Sequence, residues 1–390
     1  MKKVLIYADK ANLRPVGGSM GYLYNLNIGL TQLKNKNIHF LNEDNIKNET
    51  FQTKQNIKKI IPSKIREKIH LFKFLIDTLY RNEKDTAVDF NKYDAIHFHT
   101  TTDLYRNRKK IKNYHGKVIL TSHTPEAPYL ETLDTLCEAK IPFLNFWRRK
   151  LKEIDIYSFE KADNLIFPCK EAMEPYLHTM KYFKRNCQPL LSKTFFMVTG
   201  IQTKKLIKPK NLPLLNKKDF VVTYIGRHNQ VKGYDLLLKA AKKISKIDPT
   251  IEFVIAGKEG PCYPDDSLKN WHELGWSNNP MGIEASSDLF VLPNRETYFD
   301  LALIEALSVP TVVLISKTGG NKYFEKFKSN SINFFNPNDV DDLVNQILYI
   351  RNNLDISQVK IQNKAIYENN FTPRIFAKNY IETIKQIIKG

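Results

Sequence analysis

The sequence predicts an α/β protein made of two doubly wound parallel-sheet domains, and three observations predict it. Short apolar runs alternate with helical patterns along the chain, as βαβ units feeding parallel sheets do. The length of 390 residues exceeds the roughly 250–300 at which one hydrophobic core stops growing, so two domains are expected. Glycines are few, 15 in all, and several of them fall just past predicted strands, where a chain must turn tightly.

In the first half the strands are Val4–Ala8, Ala95–His99, Val118–Thr121, Asn164–Phe167 and Phe195–Val198. In the second half the runs are sharper: Phe220–Ile225, Ile251–Ala256, Asp288–Leu292, Thr311–Ile315 and Ile332–Phe335. Helical periodicity is plain in Tyr234–Ala241 and Val340–Ile347. The basic stretch Lys204–Pro213, with two prolines, separates the two series and reads as a linker. Residues 1–205 and 206–372 are therefore expected to form separate domains. In such sheets ligands bind beyond the carboxyl ends of the strands, so a cleft between the domains is the expected site.

Composition narrows the function. With 42% apolar and 26% charged residues, the chain is neither disordered nor collagen-like. No stretch approaches the roughly 18–20 apolar residues of a spanning helix. The opening Met1–Asp9 carries too short an apolar run for a signal peptide. Cys137, Cys169, Cys187 and Cys262 lack CxxC spacing, so neither a disulfide framework nor a zinc site is indicated, and a cytoplasmic location is expected. Sixty Lys and Arg against 41 Asp and Glu leave +19, which points to an anionic partner: nucleic acid, a phosphorylated small molecule or an anionic membrane leaflet.

Three motifs carry the chemistry. Gly17-Gly18-Ser19-Met20-Gly21 opens a helix after the first strand. Its spacing is not GxGxxG, which argues against NAD, yet a glycine pair feeding a helix can cradle a phosphate or a sugar hydroxyl. In Gly226–Tyr234 a strand ends in Gly-Arg, and Lys232 follows at a helix start. Arg227 can fork two oxygens and Lys232 adds a compact charge, a pair suited to a diphosphate; the alternative is a solvated basic loop. Asp288–Leu307 reads as a buried strand, a tight loop and a helix capped by Asp300. Glu305 lies within an apolar run, where its carboxylate either meets a pair of ligand hydroxyls or lies on the solvent stripe of the helix.

At these residues the chain resembles the retaining glycosyltransferases of family 4, of the bacterial surface-polysaccharide type, with the GT-B fold of two Rossmann-like domains facing across a cleft. That family has a Gly-rich loop after strand one and an Arg and a Lys five residues apart in its second domain. It also has a stretch of the form Pro-Ser-x-x-Glu-x-Phe-Gly-Leu-x-x-x-Glu-Ala, which Pro293–Ala306 resembles. The resemblance implies that Arg227 and Lys232 hold the donor diphosphate and Glu305 the nucleotide ribose. It places the N–H groups of Phe299, Asp300 and Leu301 against donor sugar and phosphate, and Gly17 and Gly18 on the other side of the cleft. His123, after a first-domain strand, would touch the transferred sugar. Two positions differ: the family's first glutamate aligns with Thr297, with Glu296 one place earlier, and its glycine aligns with Asp300. By analogy the last helix, residues 373–390, packs back on the first domain.

The implied reaction moves a sugar, with retention, from a nucleotide-diphosphate sugar to a hydroxyl of a growing, lipid-linked glycan. It needs no metal and no other cofactor: Asp339-Val340-Asp341 reads as a helix cap. Ile57–Leu75 and Phe143–Lys150 mix Lys and Arg with Ile, Leu and Phe. They suit either peripheral contact with an anionic inner leaflet or ordinary core helices with solvated lysines. The alternatives are a GT-B-fold nucleotide-sugar epimerase, or a basic nucleic-acid-binding protein. No recognition helix, RNP-like motif or zinc module supports the latter, so no nucleic-acid partner is expected.

Overall fold

The computed structural model describes residues 2–15, 18–41, 63–80, 88–203, 206–207, 219–265 and 267–390. They divide into two compact units. Unit 1 comprises Met1–Phe167, Tyr176–Met197 and Ala377–Gly390, and unit 2 comprises Pro168–Pro175 and Val198–Phe376.

Unit 1 is built on strands β1 (Val4–Asp9), β2 (Ile38–Leu41), β3 (Ala95–Phe98), β4 (Lys117–Leu120), β5 (Asn164–Phe167) and β6 (Thr194–Phe196). Their order is β2-β1-β3-β4-β5-β6, and every pairing is parallel. β1 pairs on one side with β2 (Val4 opposite Ile38) and on the other with β3 (Val4 opposite Ala95). The chain thus winds outward in both directions from the β1/β3 pair, and the loops beyond their carboxyl ends flank the crevice where such sheets bind ligands.

Unit 2 repeats the plan with β7 (Phe220–Ile225), β8 (Ile251–Ala256), β9 (Trp271–Glu273), β10 (Leu289–Leu292), β11 (Val312–Ser316) and β12 (Ile332–Phe335). The order is β12-β11-β10-β7-β8-β9, again wholly parallel. Its reversal lies between β7 and β10, where Leu289 faces Val222.

The central strands are buried on both faces, which is why they read as unbroken apolar runs: every residue of β3, β10 and β11 is buried. The helix Tyr234–Ile244 buries Leu237, Ala240, Ala241 and Ile244 against Phe220, Val222, Phe253 and Ile255. That i, i+3, i+4, i+7 spacing is one helix face. Two strands carry no such signal. β2 is four residues with a histidine inside it, and β9 is Trp-His-Glu; pairing with a neighbour, not local pattern, makes them strands. Of the expected linker, Leu206 and Ile207 are described and exposed; the rest lies outside the described residues.

The helix Pro373–Lys389 is tied to the unit 1 sheet through Tyr380, which is fully buried. Its hydroxyl shares a 2.9 Å hydrogen bond with His97 Nδ1, and His97 Nε2 lies 2.8 Å from Thr121 Oγ1. Tyr380→Phe removes the partner of a buried ring nitrogen, which costs roughly 1–3 kcal/mol. Calorimetry should show a melting point lower by a few degrees; an unchanged value would mean that the tie bears no load.

Candidate functional site

In unit 2 the loops after β7 and β10 meet at the sheet reversal, and backbone contact holds them there. Gly233 ends the first loop at φ +69°, and a Cβ on it would lie 1.8 Å from the Pro293 carbonyl oxygen. Arg295 N–H donates to Val231 O at 2.9 Å. The Arg295 guanidinium forks both carboxylate oxygens of Asp235 at 2.6 and 2.8 Å and reaches Gln230 O at 2.5 Å. The loop after β11 joins from behind: a Cβ on Gly320 would lie 2.0 Å from Tyr298 O, and Ser316 Oγ donates to Asn294 O at 2.6 Å. These glycines therefore admit neighbouring backbone. The space beside each is taken by a carbonyl oxygen.

The sequence-derived site residues of unit 2 fall on these loops. Arg227 is exposed at the mouth of the first loop, where Tyr224 Oη donates to its carbonyl at 2.7 Å. Lys232 is partly buried and its Nζ donates to Asp300 Oδ2 at 2.5 Å, so the second and third motifs meet through a charge pair. Asp300 caps the helix Leu301–Leu307, accepting from Ala302 N at 3.3 Å. Burial acts to raise the Asp300 pKa, but the charge of Lys232, its hydrogen bond and those from Asn294 and Ala302 outweigh burial and hold it below the usual carboxylate range. Thr297 and Phe299 are buried, and Phe299 stacks on Phe324 at 5.4 Å. Glu296 and Leu301 are half-buried.

Glu305 is half-buried on the helix Leu301–Leu307, neither on an open solvent stripe nor in the core. Beside it the sequence reading missed Glu284. This residue is fully buried, with no hydrogen-bond partner for either carboxylate oxygen among the described residues. Burial, and then the charge of Glu305, push the Glu284 carboxyl well above the usual range, so it stays neutral. Asn294, also fully buried, was missed too; its Nδ2 donates to Asp300 Oδ2 at 3.0 Å. Glu284 has no local pattern that marks it, because the helix it faces is reached only through the fold; Asn294 lies within the Asp288–Leu307 motif, six residues before the carboxylate it holds.

In unit 1, Gly18 begins the helix Gly18–Gln32 at φ +71°, with nothing within 4 Å of a Cβ placed there. Gly17 lies outside the described residues. His123, past β4, belongs to a cluster the sequence reading did not assemble. Its Nε2 lies 3.0 Å from His99 Nδ1, the two rings stack at 5.3 Å, and the Tyr22 ring sits 4.7 Å from His123. His97 on β3 and His99 just past its end lie two residues apart, with ring centroids 4.1 Å apart. That spacing, with His123 after the next strand, was the available signal. Burial lowers His123 to about 3. Burial and then His123 lower His97 to about 3, and burial with both neighbours takes His99 well below the ordinary value. All three are therefore neutral near pH 7: they offer hydrogen bonds, not charge.

The two basic, apolar segments meet in unit 1. Ile57–Pro62 lies outside the described residues, but the helix Ser63–Tyr80 packs Leu75 into a cluster with Leu133, Leu136 and Trp147. Phe72 approaches Trp147 edge-on at 6.3 Å. Ile65, Ile69, Phe72, Phe143 and Phe146 remain exposed, with Arg66, Lys68, Lys73, Arg148 and Arg149 on the same segments. One face is core, as the core-helix reading expects, and the other presents apolar side chains among cations. No helix among the described residues is long and apolar enough to cross a membrane.

Comparison with known proteins places this geometry. Residues 207–367 match the family described as Glycosyl transferases group 1. A stretch of 104 residues is 29% identical to the Escherichia coli UDP-Gal:alpha-D-GlcNAc-diphosphoundecaprenol alpha-1,3-galactosyltransferase, covering 26% of this chain and 27% of that protein. The match thus spans about a quarter of the length of that relative. Among solved structures, a sucrose-phosphate synthase from Thermosynechococcus elongatus superposes over the whole of both chains with a TM-score of 0.64 at 16% identity. Anabaena Alr3699/HepE in complex with UDP-glucose covers 99% of this chain and 100% of its own with a TM-score of 0.60 at 14% identity. These likenesses show the fold, two Rossmann-like domains of the GT-B class.

Gly233 tests the loop assembly. Gly233→Ala combines a left-handed backbone with a Cβ 1.8 Å from Pro293 O and should destabilise unit 2 by more than about 2 kcal/mol. Chemical denaturation would register this as a lower midpoint; a neutral result would show that the two loops are not locked together.

Proposed function

We propose, from the match of residues 207–367 to the glycosyl transferases group 1 family, that this chain is a retaining glycosyltransferase. It transfers a sugar from a nucleotide-diphosphate donor to a hydroxyl of a growing, lipid-linked glycan. The observation that carries the reading is the meeting of Lys232 with the loop Pro293–Leu301 at the β7/β10 reversal, through the 2.5 Å contact to Asp300. A cationic side chain, a second cation at Arg227 and a partly buried glutamate on the next helix together suit a nucleoside diphosphate.

As the bond between sugar and diphosphate breaks, negative charge grows on the leaving phosphate. Arg227 and Lys232 would meet that charge as it develops, so their stabilisation is larger in the transition state than in the ground state. Glu305 takes the ribose hydroxyls, and the N–H groups of Phe299 and Leu301 face the donor. Departure runs on side-chain cations with no divalent metal. In support, Asp339 caps the helix Val340–Asn353 through Asp342 N–H at 2.9 Å, and Asp341 pairs with Lys243. His123 acts as a neutral imidazole, suited to hydrogen-bonding a sugar hydroxyl and unsuited to protonating a leaving group at neutral pH.

The acceptor reading draws on the name of the Escherichia coli relative, whose acceptor is a diphosphoundecaprenol-linked sugar. The exposed apolar and basic surface of unit 1 accords with it. Such a surface would rest on an anionic leaflet at the inner face of the membrane, the apolar rings in the interface and the cations over lipid phosphates.

Arg227→Ala should lower turnover by at least about 100-fold with an unchanged melting point, because the side chain is exposed; near-normal rates would reject the site. NMR of the product should show the anomeric configuration of the donor. Donor consumption with acceptor omitted would instead indicate an epimerase. Co-sedimentation with vesicles should require anionic lipid and should fall several-fold in a Phe72→Ser, Phe143→Ser double variant; equal binding to neutral vesicles would remove the membrane assignment.

A further inference from the structure

Asp300 has the wrong sign for a site that only gathers positive charge around an anion. It stands where the resembling family carries glycine, and its side chain is 12% exposed. The carboxylate accepts from Lys232 Nζ at 2.5 Å, from Asn294 Nδ2 at 3.0 Å and from Ala302 N at 3.3 Å. Asn294 is fully buried, and its carbonyl is held by Ser316 Oγ at 2.6 Å. The arrangement is therefore anchored in the loop framework and is not a chance meeting of surface side chains. An ammonium has three N–H donors, so a lysine that gives one to Asp300 keeps two for phosphate oxygens.

We infer that Asp300 is a positioning residue that orients Lys232 and, by its own negative charge, limits how tightly the diphosphate is held. The inference rests on the reading of Arg227 and Lys232 as the diphosphate clamp. A lysine already held by a carboxylate loses little side-chain freedom when phosphate arrives, which favours orientation. The same carboxylate, one ammonium away from the phosphate, repels it and offsets much of the charge on Lys232. Donor and nucleoside diphosphate product are both held more loosely, and loose holding speeds product departure, a step that limits many enzymes. A glycine at this position would leave Lys232 fully cationic but unguided.

Asp300→Asn tests this, because asparagine caps a helix as well as aspartate does and removes the charge. Its amide oxygen caps Ala302 while its NH2 replaces the oxygen that accepts from Lys232 and Asn294, so the lysine is released as well. Isothermal titration of the full chain with inorganic pyrophosphate, and separately with UDP, should give dissociation constants about tenfold lower in the variant. The gain should shrink as salt is raised. With donor, KM and kcat should both fall, as tighter product holding requires. Asp300→Ser, which also caps, should behave alike and guards against a folding defect peculiar to one variant. A purely structural role would weaken binding in both. Equal or weaker pyrophosphate binding in both variants overturns the inference if Lys232→Ala and Arg227→Ala still weaken it. Should those two leave binding unchanged, the clamp reading itself fails, and the inference falls with it.

Discussion

The site in unit 2 depends on a single close approach of backbone to backbone, that of Gly233 to the Pro293 carbonyl. Any side chain at position 233 would push the two loops apart. Arg295 could then no longer fork Asp235, and Lys232 could no longer reach Asp300, since both contacts span that same seam. The geometry is thus set first by sterics and only then by charge. Charge pairs that form across a seam already closed lose little conformational freedom in forming, which is why partly buried pairs of this kind hold a defined geometry while exposed ones contribute little.

The two units offer different chemistry at equivalent places. Beyond β7 and β10 the groups are charged: Arg227, Lys232, Asp300 and Glu305. At the end of β3 and beyond β4 they are polar but neutral, because burial keeps His97, His99 and His123 unprotonated. Charged groups of the unit 2 kind suit phosphate, and neutral imidazoles of the unit 1 kind suit hydroxyls. Glu284 fits the same logic from the other side: kept neutral by burial and by Glu305, it spares the site a second negative charge next to the carboxylate assigned to the ribose.

Much of this was legible in the linear chain. Parallel strands of this kind read as short apolar runs, and ten of them stood out because their signal is local. The helix Tyr234–Ile244 announced itself by periodicity, and Asp300 by the capping preference of its residue type. The strands Ile38–Leu41 and Trp271–Glu273 did not, since neither alternation nor apolar run marks them. The expected role of the glycines was also incomplete: their freedom of φ was readable, but the carbonyl that occupies the freed space was not.

Local pattern alone therefore settled the α/β class, the doubly wound plan and the loops on which reactive groups would lie, because periodicity, turn chemistry and capping act over a few residues. The partners of those groups came only with the folded chain. Lys232 meets Asp300 across 68 positions and Arg295 meets Asp235 across 60, and a contact between distant positions leaves no mark on the residues beside either one. Burial is likewise a property of the assembled core, so the neutrality of His123 and of Glu284 could be known only once their surroundings were in place.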